Sequence, residues 1–244
     1  MMKIILSPSK TQNQDSVEAK GPLIHQLDMS VRLFQELKSL TKDAIQSLMK
    51  IKNKLLDDTY ELYQSFEESK KKIPAIDLYQ GLVFEQLDKS KYNQEQIKYL
   101  KEHVVILSAM YGAIQPHTLI WPYRLDMTMK PKEMNLYDYW QATIDDYFDQ
   151  VDVIVNLASN EFSKMLKNHS DKMIDIQFKQ ENQSGQLKTI AVHAKKARGH
   201  MLNQMVLHQI EDLDQLKSLN IDGYQYRESL SNHQKYVFVK AYQQ

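Results

Sequence analysis

Three segments of the chain share one hydropathic layout. An apolar run opens into Ser-rich, turn-forming residues: KIIL into SPSKT (3–11), VVIL into SAMYG (104–112) and VIVN into LASNE (153–161). Near-continuous apolar runs of this length predict strands covered on both faces, as in parallel sheets. Further strands are predicted at 172–178, at 187–193 after a hairpin at 182–185, and at 236–240. Between the first two runs the period lengthens to that of a helix. Val31, Leu33, Phe34, Leu37 and Leu40 make one stripe, and Ile45, Leu48, Met49, Leu55 and Leu56 make another, with Thr41 placed to cap the second. Helices are also predicted at 93–102, 137–149, 161–167 and 201–210. Residues 12–24 read as polar loop, and 76–84 has no decisive period. The alternation predicts a single α/β domain with a mostly parallel or mixed central sheet, flanking helices and a helical insertion at about 29–72.

In open α/β sheets, ligands bind beyond the carboxyl ends of the strands, where the loops carry the chemistry. If the three Ser-rich ends are neighbours, Ser7, Ser9, Lys10, Thr11, Ser108, Tyr111, Asn156, Ser159 and Glu161 line one crevice. The competing reading is that Ser and Asn merely cap the helices that follow.

Two other segments carry candidate chemistry. No acidic residue occurs from Asn182 to Ile210, while Lys188, Lys195, Lys196 and Arg198 are cationic. With Gly199 read as preceding a helix, HAKKARGHM (193–201) suits a phosphate, against the alternative of a solvated basic turn. In IWPYRLDM (120–127), rigid aromatics present Arg124 with Asp126 near enough to orient it. An exposed Trp121 or Tyr111 would stack a base, whereas a buried one is packing.

Composition narrows the partners. Lys plus Arg (31) equals Asp plus Glu (31), so any anion must be read by a local patch. The absence of cysteine removes disulfides, thiolate metal sites and thiol catalysis. No apolar stretch reaches a membrane span, and the first residues are too short an apolar run for a signal peptide, so a cytoplasmic location is expected. The histidines lack metal spacing, since His200 and His208 sit about 12 Å apart along a helix. No metal, cofactor or membrane partner is expected.

Six motifs in order resemble the YaaA family of bacterial peroxide-stress proteins: SPSKT (7–11), LSAMYG (107–112), PYRLDM (122–127), NLYDYW (135–140), NLASNEF (156–162) and AKKARG (194–199). The resemblance runs nearly end to end. It implies an unusual α/β fold with a positive cleft and a helix-hairpin-helix-like element. It also implies a role in surviving hydrogen peroxide by limiting free iron and DNA damage. That element maps onto 37–56, with Lys38, Lys42, Lys50, Lys52 and Lys54 as DNA-contact candidates. The segment departs from the usual pattern in having no glycine between Val31 and Ile73.

Two functions follow. In the first, a DNA-binding protein uses Lys10, Arg124, Lys195, Lys196 and Arg198 to neutralise phosphates, with Tyr111 or Trp121 stacking a base. In the second, an enzyme acts on a nucleotide or nucleic-acid base by N-glycosidic cleavage. Glu161 is then nucleophile or general base, Asn156 and Ser159 position the sugar, and Lys195 and Arg198 hold phosphate.

Overall fold

The apolar runs become strands because each has neighbours on both sides. The computed structural model describes residues 1–13, 21–68 and 70–242; most of the expected 12–24 loop falls outside them. β1 (Met2–Leu6), β2 (Val104–Ser108), β3 (Gly112–Ile114), β4 (Val153–Asn156), β5 (Met173–Glu181), β6 (Leu187–Lys188), β7 (Asn220–Ile221), β8 (Tyr224–Tyr226) and β9 (Lys235–Lys240) form one mixed sheet. Its order is β7-β8-β9-β5-β4-β1-β2-β3, with β6 on β5. The central strands β9, β5, β4, β1 and β2 are mutually parallel. Every residue of β1 and β2 is buried, as strands covered on both faces require.

Numbered by their order in the chain, the five parallel strands lie 2-1-3-4-5 across the sheet. The chain leaves β1 towards β2 on one side, and later builds β4, β5 and β9 on the other. The ends of β1 and β4 therefore diverge at a topological switch point, the usual place for a ligand in such sheets.

Between β1 and β2 lie α1 (Leu27–Lys38), α2 (Lys42–Met49), α3 (Asn53–Gln64) and α4 (Gln94–His103). Thr41 caps α2 by accepting from the Ala44 N–H at 3.2 Å, and Asn93 with Gln96 closes a capping box on α4. Residues 76–84, where no period dominated, break into short helical turns and a two-residue strand. α5 (Leu136–Phe148), α6 (Asn160–Ser163) and α7 (Ala191–His208) follow β3, β4 and β6. α4 and α7 pack together on one side of the sheet, and α5 packs with the 3-10 turns at Lys164–Lys172. Leu33, Phe34 and Leu37 of α1, Ile45 and Met49 of α2, and Leu56 of α3 join the same core as the sheet.

α7 departs from expectation. The predicted 187–193 strand pairs only at β6, and the helix begins at Ala191, ten residues before the predicted start. Gly199 is thus interior to the helix. A Cβ there would lie 2.3 Å from the Val83 carbonyl oxygen, so the glycine lets the helix pack directly on the 81–86 segment. That close approach outweighs its helix cost of about 1 kcal/mol.

Candidate functional site

Beyond the ends of β1 and β4 lies a cavity of about 560 Å3. Ser7, Ser9, Lys10, Thr11, Arg124, Ser159, Glu161, Lys195 and Arg198 line it, together with Asp126 and an apolar wall. Residues near 10, 161 and 198 thus meet although they are far apart in the chain. Counted formally, the wall has four cationic side chains (Lys10, Arg124, Lys195, Arg198) and two carboxylates (Asp126, Glu161), a net charge of +2.

The two strand ends are stitched by hydroxyls. Ser7 Oγ accepts the Ser159 N–H at 2.8 Å and donates to Ser159 Oγ at 3.1 Å. Ser159 precedes α6, but its side chain makes no cap hydrogen bond; it faces Ser7 instead.

The carboxylates are held differently. Asp126 forms a salt bridge with Lys10 at 2.6 Å and so orients that lysine, not Arg124 as expected. Glu161 Oε1 accepts the Met127 N–H at 2.9 Å. Burial, reinforced by the charge of Asp126, raises the Glu161 carboxyl above its ordinary range, against the opposing pull of that N–H and Lys10. Arg124 is placed by its backbone: its N–H donates to Tyr63 Oη at 3.0 Å, and that hydroxyl donates to the Arg124 carbonyl at 2.6 Å.

Arg198 comes from the interior of α7. Its Nε is buried and makes no hydrogen bond, and it forms no salt bridge among the described residues. Burial lowers its proton affinity, which Asp175 partly restores. Both Asp175 oxygens already accept hydrogen bonds, from Asn156 at 3.1 Å and from Gln177 at 2.8 Å.

Other expected residues lie elsewhere. Ser108 is fully buried; it donates to Tyr123 Oη at 2.8 Å and accepts the Met110 and Tyr111 N–H groups. Tyr111 is buried with its hydroxyl on the Trp121 carbonyl at 2.6 Å. Asn156 is buried between Asp175 and the Ala158 N–H. Lys196 is exposed outside the cavity. Trp121 is only 2% exposed; its ring packs edge-on against Phe34 and Phe66, and its Nε1 donates to the Lys70 carbonyl. Base stacking on Trp121 or Tyr111 is therefore corrected: both rings tie the helical insertion to the 120–124 segment.

A second cavity, of about 790 Å3, adjoins the first and shares Lys10, Gln12, Tyr123 and Arg124 with it. Its far wall is α3, which contributes Asp58 and Glu61, with Lys70 and Lys71 beside it. Of the hairpin lysines, Lys38 donates to the Phe66 carbonyl at 3.0 Å and Lys42 pairs with Asp57 at 2.5 Å. Lys50, Lys52 and Lys54 are exposed at the tip between α2 and α3 and make no salt bridge among the described residues. Lys50 itself adopts the left-handed conformation (φ 53°) that a glycine would ordinarily supply.

Gln12, Gln80 and the 81–84 turn were missed as wall residues. A usable signal is Gly81, one of only six glycines: its φ of +113° and a would-be Cβ contact of 3.0 Å with Ser9 Oγ place it close against the Ser9 loop on the cavity wall.

Comparison with known proteins assigns the chain to a family. The family model described as "Peroxide stress protein YaaA" matches residues 2–230. A UPF0246 protein from Fusobacterium nucleatum is 36% identical over 247 residues, covering 98% of this chain and 99% of that protein. UPF0246 proteins from Francisella philomiragia and Finegoldia magna are each 34% identical, covering 98% of this chain and 100% and 98% of theirs. The chain belongs to the peroxide stress protein YaaA family.

Proposed function

We propose that the chain is a cytoplasmic DNA-binding protein of the hydrogen-peroxide response, which limits iron-driven damage by occupying DNA. The observation that carries this reading is the pair of adjoining cavities. Lys10 and Arg124 stand where they meet, Lys195 and Arg198 lie on one side, and Lys70 and Lys71 on the other. These six cations outnumber the four carboxylates of the same walls, Asp58, Glu61, Asp126 and Glu161, and a locally net-positive surface can follow a phosphate backbone without a globally basic protein. Lys50, Lys52 and Lys54 at the hairpin tip offer a further phosphate contact. The partner is DNA through its backbone, with no base stacking.

Anisotropy titration of a labelled duplex at several salt concentrations tests this. The log-log slope is expected near −0.9 per phosphate neutralised, roughly −2 to −4 in all. No binding at low salt, or a flat salt series, refutes it.

A second reading rests on Glu161. A carboxyl of raised proton affinity on a cavity wall suits general acid–base work, here cleavage of an N-glycosidic bond in a nucleotide or nucleic acid. Release of free base by the wild type but not by Glu161→Gln is its test; equal release by both removes Glu161 from the chemistry.

A further inference from the structure

We propose that the cavity beyond the ends of β1 and β4 binds one nucleoside 5′-monophosphate, with Arg198 and Lys195 on the phosphate and Glu161 accepting a hydrogen bond from the sugar or base. This goes beyond backbone binding, for which exposed cations suffice.

The argument begins with Arg198. The residue is half-buried, and its Nε is sealed from solvent; a buried N–H donor left without an acceptor is costly. Asp175, the carboxylate whose charge acts on Arg198, has both oxygens engaged by Asn156 and Gln177. The Arg198 Nε remains without a partner, and the residue lines the cavity beside the exposed Lys195. A fork of N–H donors that lacks an acceptor matches the oxygens of a phosphate.

Glu161 then restricts the rest of the ligand. The Met127 N–H on Oε1, with the Thr128 N–H also hydrogen-bonding the carboxylate, fixes it on the same cavity wall. A ligand anionic at both ends would set its second anion against this carboxylate. The favoured ligand is anionic at one end and carries neutral N–H or O–H donors at the other. Pro8, Leu82, Phe84, Tyr123, Leu125 and Phe162 supply an apolar wall, which inorganic phosphate or a bare sugar phosphate would leave unfilled. The volume of about 560 Å3 falls in the range of small-ligand sites. The switch-point position is where nucleotides lie in sheets of this strand order.

Calorimetry on the full chain compares AMP, CMP, GMP and UMP with adenosine, ribose 5-phosphate and inorganic phosphate. At least one nucleotide is expected to bind about tenfold or more tighter than any of the three fragments. Arg198→Lys is expected to lose about tenfold, the worth of one charge-assisted hydrogen bond. Lys195→Gln, at an exposed position, is expected to lose a few-fold, so the test survives if Arg198→Lys misfolds. No nucleotide binding, nucleotide binding no tighter than inorganic phosphate, or undiminished binding by Lys195→Gln and a folded Arg198→Lys overturns the proposal. Duplex titrations run in parallel keep the readings apart. Duplex binding without nucleotide binding sinks only this inference; nucleotide binding without duplex binding sinks only the DNA reading.

Discussion

The end of β2 and the ends of β1 and β4 have the same hydropathic pattern and opposite fates. At β2 the chain turns back at Gly112 (φ +68°) into the antiparallel β3, and Trp140 packs so closely that a Cβ on Gly112 would lie 2.8 Å from its ring. Ser108 is sealed inside, its hydroxyl consumed by Tyr123 and two backbone N–H groups. Tyr123 in turn meets Tyr79 Oη at 2.9 Å, and burial pushes its phenol up to about 12. At β1 and β4 the chain departs in opposite directions, and Ser7 and Ser159 are left half-buried at a cavity mouth. A polar residue after an apolar strand is therefore structural or available depending on whether the next segment covers it.

The largest expected effect tests the sealed end. Ser108→Ala leaves the Met110 and Tyr111 N–H groups without their acceptor in the core and the Tyr123 hydroxyl with Tyr79 alone, a loss of roughly 3 kcal/mol in unfolding free energy. Urea denaturation should show a lower midpoint at unchanged slope, with DNA affinity per folded molecule preserved. Next comes the open side. Replacing both Lys10 and Arg124 with alanine should weaken duplex binding about tenfold at low salt and flatten the salt slope by roughly 1.8, two phosphates' worth. An unchanged slope would leave the junction of the cavities outside the DNA path.

Ser7→Ala should cost less, about 1 kcal/mol, because water can replace the hydroxyl at a half-exposed site. A loss as large as that of Ser108→Ala would erase the contrast between the two strand ends.

The smallest effect is on pH. The folded chain holds the Glu161 proton more tightly than the unfolded chain, whose carboxyl titrates near 4.5. This group's contribution to stability therefore falls as pH rises from 4.5 through its raised folded value. Protonation in that window also removes one negative charge from the cavity wall, so anion affinity should rise a few-fold as pH falls. Glu161→Gln should flatten the part of the pH profile that belongs to this residue, measured by titration at matched ionic strength.

Much of the fold could be read from the chain because periodicity reports local burial. β1, β2, β4 and the helical stripes of α1 and α2 follow from residues a few positions apart. α7 could not be read in this way. Gly199 looks like a helix boundary in sequence, and only the Val83 carbonyl packed against it explains an interior glycine. The hairpin turn at Lys50 is a similar case, since a lysine holds a backbone conformation for which glycine is the usual sign.

For the candidate site, the sequence determined which chemical groups stand at strand ends and on the basic segment. Lys10, Glu161 and Arg198 were nameable from composition and spacing alone. Tertiary structure decided their company: Asp126 with Lys10, Met127 with Glu161, and a free Nε on Arg198. It also decided that Ser108, Tyr111 and Trp121 belong to the core. The physical reason is that hydropathy records how much of a residue is buried. Which residue across the sheet satisfies its hydrogen bonds depends on strand order, and strand order is a contact between segments more than a hundred residues apart.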